Sequence, residues 1–349
     1  MAVMENSRFF ISEPSDVGTV RRAAGAMAEK SGFSLSRGSD LGIVITELST
    51  NILRHGDRGE LLLRPVEEGA ARGIEILAVD RGKGMANFSQ CLTDGFSTSG
   101  GSGIGLGAIS RLSDFSDFFS TPGHGTCCLS ILWSAPLSSA ESTIPHPAEV
   151  GSVCVALRGE KVCGDAWGFD LEPDRVLFLV ADGLGHGAAA AEASHEAIRI
   201  FKSHTARPPL GVLEEIHGGL KKTRGAAIAV GELDLSVGEV HYCGVGNISG
   251  ALCGTTQQQG LASMNGTVGH EVRIFRQFAY ACPAYRAIIL HSDGVSNRWN
   301  LHEPPYSGLL ERHPSLIAGV LYRDFARARD DATVMVIRSG SARKGRYAH

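Results

Sequence analysis

The sequence predicts an α+β protein of two domains, and three observations carry that reading. The chain is 349 residues long, roughly twice the length of an ordinary domain. Residues 134–149, SAPLSSAESTIPHPAE, hold three prolines and several serines and interrupt the hydrophobic periodicity on either side. Before that break the pattern mixes a helical period with strands and glycine loops; after it come short apolar runs ending in Asp-Gly or Gly-Asp. The expected division is a first domain over 1–133, a linker over 134–149, a second domain over 150–338 and a flexible tail over 339–349.

Composition narrows the class. With 43% hydrophobic residues the chain can bury a core in each half. Its 44 glycines are nearly twice the usual share of about 7%, and they follow no collagen-like period, so they read as tight turns and ligand loops. A net charge of −4 with scattered basic residues disfavours a nucleic-acid surface. No apolar run reaches the ~18 residues of a membrane span, and residues 1–8 lack the basic-then-apolar pattern of a signal peptide. The eight cysteines form no C-x-x-C zinc pair. A cytoplasmic protein with reduced thiols is expected.

In the first half, residues 39–55 carry Leu41, Val44, Ile45, Leu48 and Ile52 at helical spacing, with Ser39 placed to cap the start. Glu47 and Asn51 lie four apart and share one face; alone, the pair suits a solvated polar face as readily as a Mg²⁺ or a water. Residues 74–79, IEILAV, read as a strand delivering Asp80, Arg81, Gly82, Lys83 and Gly84. An Asp there can accept from an amine while glycines let backbone approach a flat ring, although an isolated D-x-G-x-G is also a plain turn. Residues 97–107, STSGGSGIGLG, then run into a helical pattern with Ile109, Leu112 and Phe115. Backbone N–H groups in such a loop suit polyphosphate. No buried strand leads into these glycines, against a dinucleotide fold, and no Gly-Lys-Ser/Thr follows, against a Walker loop.

The order of these boxes, closing with GHGT at 123–126, resembles the GHKL ATP-binding fold. ITELSTNILRHG and GSGIGLGAISRLSDF are most similar to the small serine kinases and anti-sigma factors of bacterial partner switching, the RsbT and RsbW type. The resemblance covers most of residues 8–133 and implies an α/β sandwich with ATP between helices and sheet. It further implies that Glu47 polarises the attacking hydroxyl, Asn51 holds Mg²⁺ and Asp80 takes the adenine amine, while Gly82, Gly84, Gly103, Gly105 and Gly107 shape pocket and lid. No phosphorylatable His box or dimerisation helix precedes the segment, so it does not read as a sensor histidine kinase.

In the second half, acidic residues recur at the ends of apolar runs: Asp165 after 162–164, Asp182 after VLFLVA at 176–181, Asp293 after AIIL at 287–290, and Asp330 with Asp331 before VMVI at 334–337. Any one of them reads as a turn; four in this order read as an oxygen-rich shell for Mg²⁺ or Mn²⁺, and two such ions can bind a phosphate ester and activate water. No G-x-S-x-G elbow supports a serine hydrolase, and Cys154, Cys163 and Cys243 lack a phosphate-cradling loop.

The blocks CGDAWGF, VADGLGHGAAAAEAS, YCGVGNISG, LHSDGVSN and RDDATVMVIR resemble the type 2C (PPM) metal-dependent phosphatases, and more narrowly their SpoIIE and RsbX branch. The resemblance implies a β-sandwich flanked by helices, with metals carried by Asp165, Asp182, Asp293, Asp330 and the Gly183 carbonyl, Asp182 bridging both. Asp331 stands where many relatives have Asn. His186 is open to two readings, a phosphate contact or a loop cap, and Tyr242–Asn247 reads as structural.

Together the resemblances imply a bifunctional partner-switching regulator. Its serine kinase domain would use ATP with Mg²⁺, its phosphoserine/phosphothreonine phosphatase domain would use two Mn²⁺ or Mg²⁺, and both would act on a STAS-type regulator. The alternatives are a nucleotide-gated docking module in which only the phosphatase is catalytic, or a phosphatase whose first domain senses ATP or ADP.

Overall fold

The computed structural model describes residues 5–85, 105–136, 148–205, 207–282 and 285–339. Chain contacts divide it into two compact units, one built on Asn6–Pro145 and one on His146–Arg343, with Glu5 joining the latter through its carboxylate, which accepts from the Cys163 N–H at 2.9 Å.

The first unit runs β1 (Ser7–Ile11), α1 (Pro14–Lys30), α2 (Leu35–His55), β2 (Gly59–Glu68), β3 (Ala71–Asp80), α3 (Gly105–Leu112), β4 (Phe115–Ser120) and β5 (Thr126–Trp133). Its strands form one antiparallel sheet in the order β1-β2-β3-β5-β4. Helix α1 starts at a capping box: Asp16 accepts the N–H groups of Ser12 and Glu13 at 2.8 and 2.9 Å, and Pro14 needs no donor partner in the first turn. Helix α2 begins at Leu35, and its cap lies five residues before the expected Ser39. Ser34 is the cap, its hydroxyl accepting from Arg37 N–H at 3.2 Å. Ser39 lies inside the helix and donates to the Leu35 carbonyl.

The apolar stripe of α2 (Leu41, Val44, Ile45, Leu48, Ile52) packs with Val20, Ala24 and Ala28 of α1 on Leu61, Leu63, Ile74, Ile76 and Leu132 of the sheet. Helix α3 ends at Leu112, and Phe115, expected on its face, opens β4 instead. Arg37 holds this junction by donating to the carbonyls of Leu112 and Trp133 at 2.9 and 3.1 Å and pairing with Asp114. On the sheet's other face Leu62, Leu77 and Leu129 are also fully buried, beside a buried ion pair between Arg64 and Glu75 at 2.7 Å.

The second unit contains β6 (Ala148–Val155), β7 (Asp165–Glu172), β8 (Arg175–Gly183), α4 (Ala188–Ser203), α5 (Pro209–Gly219), β9 (Ala226–Asp234), β10 (Glu239–Val245), β11 (Ser249–Gly254), β12 (Gln258–Leu261), β13 (Ser263–Met264), β14 (Phe278–Ala281), β15 (Tyr285–His291), α6 (Pro314–Phe325) and β16 (Ala332–Ser339). Strand β6 begins inside the expected linker, because residues from Ala148 onward pair with β16.

One sheet follows the path β13-β10-β9-β8-β7 with β14 added to β10; the other is β12-β11-β15-β16-β6. Pairing is antiparallel except between β10 and β13. Between the sheets lie Trp167, Phe178, Val180 and Tyr242 from one side and Leu252, Ile288, Leu290, Met335 and Ile337 from the other. The outer face of the first sheet is covered by α4 and α5 through Ile198, Phe201, Val212 and Ile216. Helix α6 packs on β6 and β16, buried from Pro314 to Arg323. The seven described cysteines are free thiols.

Arg64→Ala removes a buried ion-pair partner of the Glu75 carboxylate and should lower unfolding stability by about 3 kcal/mol or more. Replacing both residues with Leu should recover most of that loss; urea denaturation of the two variants measures the difference.

Candidate functional site

Two clusters of chemistry-bearing side chains stand out, one in each unit. In the first, the stripe that buries α2 leaves Glu47 and Asn51 half-buried one turn apart on its flank. The start of α3 lies against them: a Cβ built on Gly105 would stand 3.0 Å from Glu47 Oε2 and 3.6 Å from Asn51 Oδ1. Gly107 is buried on the same short helix, and Gly103 falls outside the described residues.

Asp80 closes β3, where Gly56, the residue after α2, approaches its Cβ so closely that a side chain would sit 2.9 Å away. Asp80 Oδ1 accepts from the N–H groups of Gly82 and Thr126 at 2.8 and 3.2 Å. Two glycines are required here. A Cβ on Gly82 would lie 2.0 Å from the His55 carbonyl oxygen, and Gly84, at φ +64°, would place one 2.1 Å from that of Thr121. The end of α2, the end of β3 and the start of α3 thus meet around Glu47, Asn51 and Asp80.

In the second unit, topology gathers the acids. Asp165 opens β7 and Asp182 lies at the far end of β8; because the strands are antiparallel, the two are register partners. Asp293 follows β15 by two residues and Asp330 precedes β16 by two, again at one end of an antiparallel pair. Close backbone approach requires glycine: a Cβ on Gly183 would stand 2.0 Å from the Ala190 carbonyl oxygen, and one on Gly294 1.7 Å from that of Asp331.

Burial dominates the electrostatics. It pushes the Asp182 carboxyl up to about 9, reinforced by the negative charges of Asp165, Asp293, Asp330 and Asp331. Asp165, completely buried, is pushed up to about 7 by the same desolvation, with Asp331 and Asp330 adding to it and the Ser292 and Thr333 hydroxyls opposing. Burial also raises Asp330 and Asp331. Asp165 Oδ2 is buried without a hydrogen-bond partner. Among the described residues no three His, Cys, Asp or Glu side chains converge on a common point. Carboxylates are donors that a hard divalent cation takes, and the buried, unpartnered Asp165 oxygen carries a desolvation cost that such an ion would relieve.

Several contacts here left no mark in the motifs. Asp331 uses both oxygens, accepting from Leu157 N–H at 2.7 Å and Gly164 N–H at 2.9 Å, a double role that an Asn could fill only by half. Asn247, which reads as part of a structural turn, donates to Asp293 Oδ2 at 2.6 Å. His186 Nδ1 lies 2.7 Å from Glu160 Oε1. An ionised carboxylate only accepts, so Nδ1 carries the proton and Nε2 stays available.

The histidine kinase-like ATPase domain family matches residues 10–131, and the Stage II sporulation protein E (SpoIIE) family matches residues 172–340. The serine/threonine-protein kinase RsbT of Bacillus subtilis is 32% identical over 118 residues, 34% of this chain and 89% of RsbT. The phosphoserine phosphatase RsbX of Bacillus subtilis is 27% identical over 90 residues, which are 26% of this chain and 45% of RsbX. In fold, 55% of the chain superposes on 99% of a chain solved in "The bacterial stressosome: a modular system that has been adapted to control secondary messenger signaling", with a TM-score of 0.50 and 24% identity. No described helix is long and apolar enough to cross a membrane.

The raised carboxyls give the metal-free protein a definite pH dependence. Their folded-state values exceed the unfolded value near 3.8, so the folded state holds extra protons and stability falls as pH rises from about 4 through 7 to 9. Thermal unfolding in chelator should show Tm dropping between pH 5 and 8.5, with a shallower drop in Asp182→Asn; an unchanged slope would place Asp182 in the ordinary carboxylate range.

Proposed function

The chain belongs, over residues 10–131, to the histidine kinase-like ATPases of the RsbT type and carries a SpoIIE-type phosphatase domain over 172–340, and on that premise we propose that it sets the phosphorylation of a STAS-domain regulator from both directions. The first domain phosphorylates a serine or threonine of that partner, and the second removes the phosphate. The name of the solved neighbour, the bacterial stressosome, supports the choice of partner class.

In the first domain Asn51 would hold Mg²⁺ and Asp80 would accept a hydrogen bond from the adenine amine of ATP. Gly82, Gly84, Gly105 and Gly107 would bring backbone against the nucleotide. Glu47 takes the proton of the attacking hydroxyl, and its position beside the start of α3 supports that role.

In the second domain Asp165, Asp182, Asp293, Asp330 and the Gly183 carbonyl would hold two Mn²⁺ or Mg²⁺ ions. Such ions lower the pKa of bound water and neutralise charge on phosphoryl oxygens. Asp182 and Asp165 surrender their protons on loading, Asn247 orients Asp293, and Asp331 ties the loop before Asp165 to the start of β16. His186, held by Glu160 through Nδ1–H, would in its doubly protonated form donate from Nε2 to the departing seryl oxygen, as a water oxygen bonds to phosphorus and the P–O(Ser) bond breaks. The observation that carries this reading is the set of mutually repelling buried carboxylates with an orphaned oxygen among them.

The test is phosphate release from a serine-phosphorylated STAS partner in Mn²⁺. Asp182→Asn should reduce it by about 100-fold or more, beyond the ~10–100-fold that outer contacts of metal sites contribute, while ATP-dependent phosphorylation of the partner continues and is lost in Glu47→Ala. Unchanged release in Asp182→Asn would refute the metal assignment. ATP-dependent binding of the partner without phosphotransfer would leave the first domain a docking module.

A further inference from the structure

Beside the acidic cluster the second unit opens a cleft of about 450 Å³, lined by Asp293, Arg327, Ala328, Arg329 and Asp330. Two of these residues are carboxylates of the proposed metal site; two are arginines that no part of the account has used. The segment bearing them is fixed to the turn bearing Asp293. Ser296 N–H donates to the Phe325 carbonyl at 2.9 Å, Ala326 bridges Val295, and Arg327 N–H donates to the Gly294 carbonyl at 2.7 Å. The arginines are therefore built into the wall of the cleft by three consecutive backbone links. Both are exposed, and among the described residues neither guanidinium is paired with a carboxylate.

Charge decides what such a cleft accepts. Asp293 and Asp330 bring two negative charges, which one divalent cation cancels. Two guanidinium charges then remain, matching a phosphate monoester dianion. A guanidinium presents a planar fork of donors that matches two oxygens of one phosphate, and a phosphoryl group needs such donors for the oxygens that a metal does not hold.

We propose that Arg327 and Arg329 form the phosphate-anchoring subsite of the second domain, gripping the phosphoryl group of a phosphoserine or phosphothreonine side chain in the cleft that Asp293 and Asp330 also line. The inference rests on the phosphatase reading for its substrate, but the subsite can be tested without turnover. Its specificity is for the phosphoryl group itself, so the flanking peptide sequence contributes little to this contact.

The probe is inorganic phosphate, titrated calorimetrically into the full chain in the presence of Mn²⁺. Arg327→Ala and Arg329→Ala should each weaken phosphate binding by about 10-fold, the range for a charge-assisted hydrogen bond, and the double variant by more. The paired Lys replacement should restore part of the affinity, since it keeps the charge and loses the fork. Affinity for Mn²⁺ alone should stay within about twofold across the series. With a phosphorylated protein substrate the same changes should raise KM more than they lower kcat. Unchanged phosphate affinity in the double variant overturns the proposal, as does a parallel loss of Mn²⁺ affinity, which would make the arginines supports of the metal site. Arginine-dependent phosphate binding in a protein that hydrolyses no phosphoserine would keep the subsite and refute the phosphatase reading instead.

Discussion

Carboxylates buried side by side at one end of a β-sandwich repel one another, and this fold makes their separation impossible. Asp165 and Asp182 are register partners on adjacent antiparallel strands, and neither can leave without unzipping β7 from β8. Asp293 and Asp330 are tethered alike by the β15–β16 ladder. At a separation of about 4 Å, two unit charges cost each other about 4 kcal/mol at an effective dielectric of 20. Without a cation the proton is the only relief within reach, and the raised carboxyls of Asp182 and Asp165 record it. The hydrophobic layers on both faces of the β7–β8 sheet hold this electrostatic strain in place, so the core of the second unit and its chemistry are one design.

The first unit solves a different problem by a different device. Its candidate site groups sit on a helix flank and at a strand end, and what brings them within reach is the removal of side chains. Gly56 and Gly82 let the end of α2 press against Asp80 and the loop after it, and Gly105 lets α3 begin against Glu47 and Asn51. Each contact is shorter than a Cβ would allow. Arg37 anchors the far end of α3 to α2 and β5, so the helix start is steadied from behind.

Much of this was legible in the sequence, for physical reasons. Asp-Gly after a run such as VLFLVA reports a buried strand delivering a carboxylate to a tight turn, and the α2 stripe reports which flank carries Glu47 and Asn51. What stayed hidden depends on pairing between distant residues. The register that sets Asp165 opposite Asp182 cannot be read from either strand alone. His186 meets a Glu160 that stands 26 positions away, and Asn247 finds Asp293 across 46. Local competition misleads as well. Ser39 looks like a cap until Ser34 takes that part, and Phe115 continues a helical period only until the sheet claims it.

Of the two proposed sites, for transfer onto a hydroxyl in the first unit and removal to water in the second, only the second gathers several carboxylates at strand ends. The central claim concerns the second: burial, reinforced by the neighbouring acids, keeps Asp182 and Asp165 protonated until a divalent cation replaces the protons. The direct measurement is calorimetric titration of Mn²⁺ into the metal-free protein at pH 7 in buffers of different ionisation enthalpy. With Asp182 raised to about 9 and Asp165 to about 7, loading must expel protons. The account predicts release of at least about one proton per chain, and less in Asp182→Asn. Binding of Mn²⁺ with no proton released would contradict it.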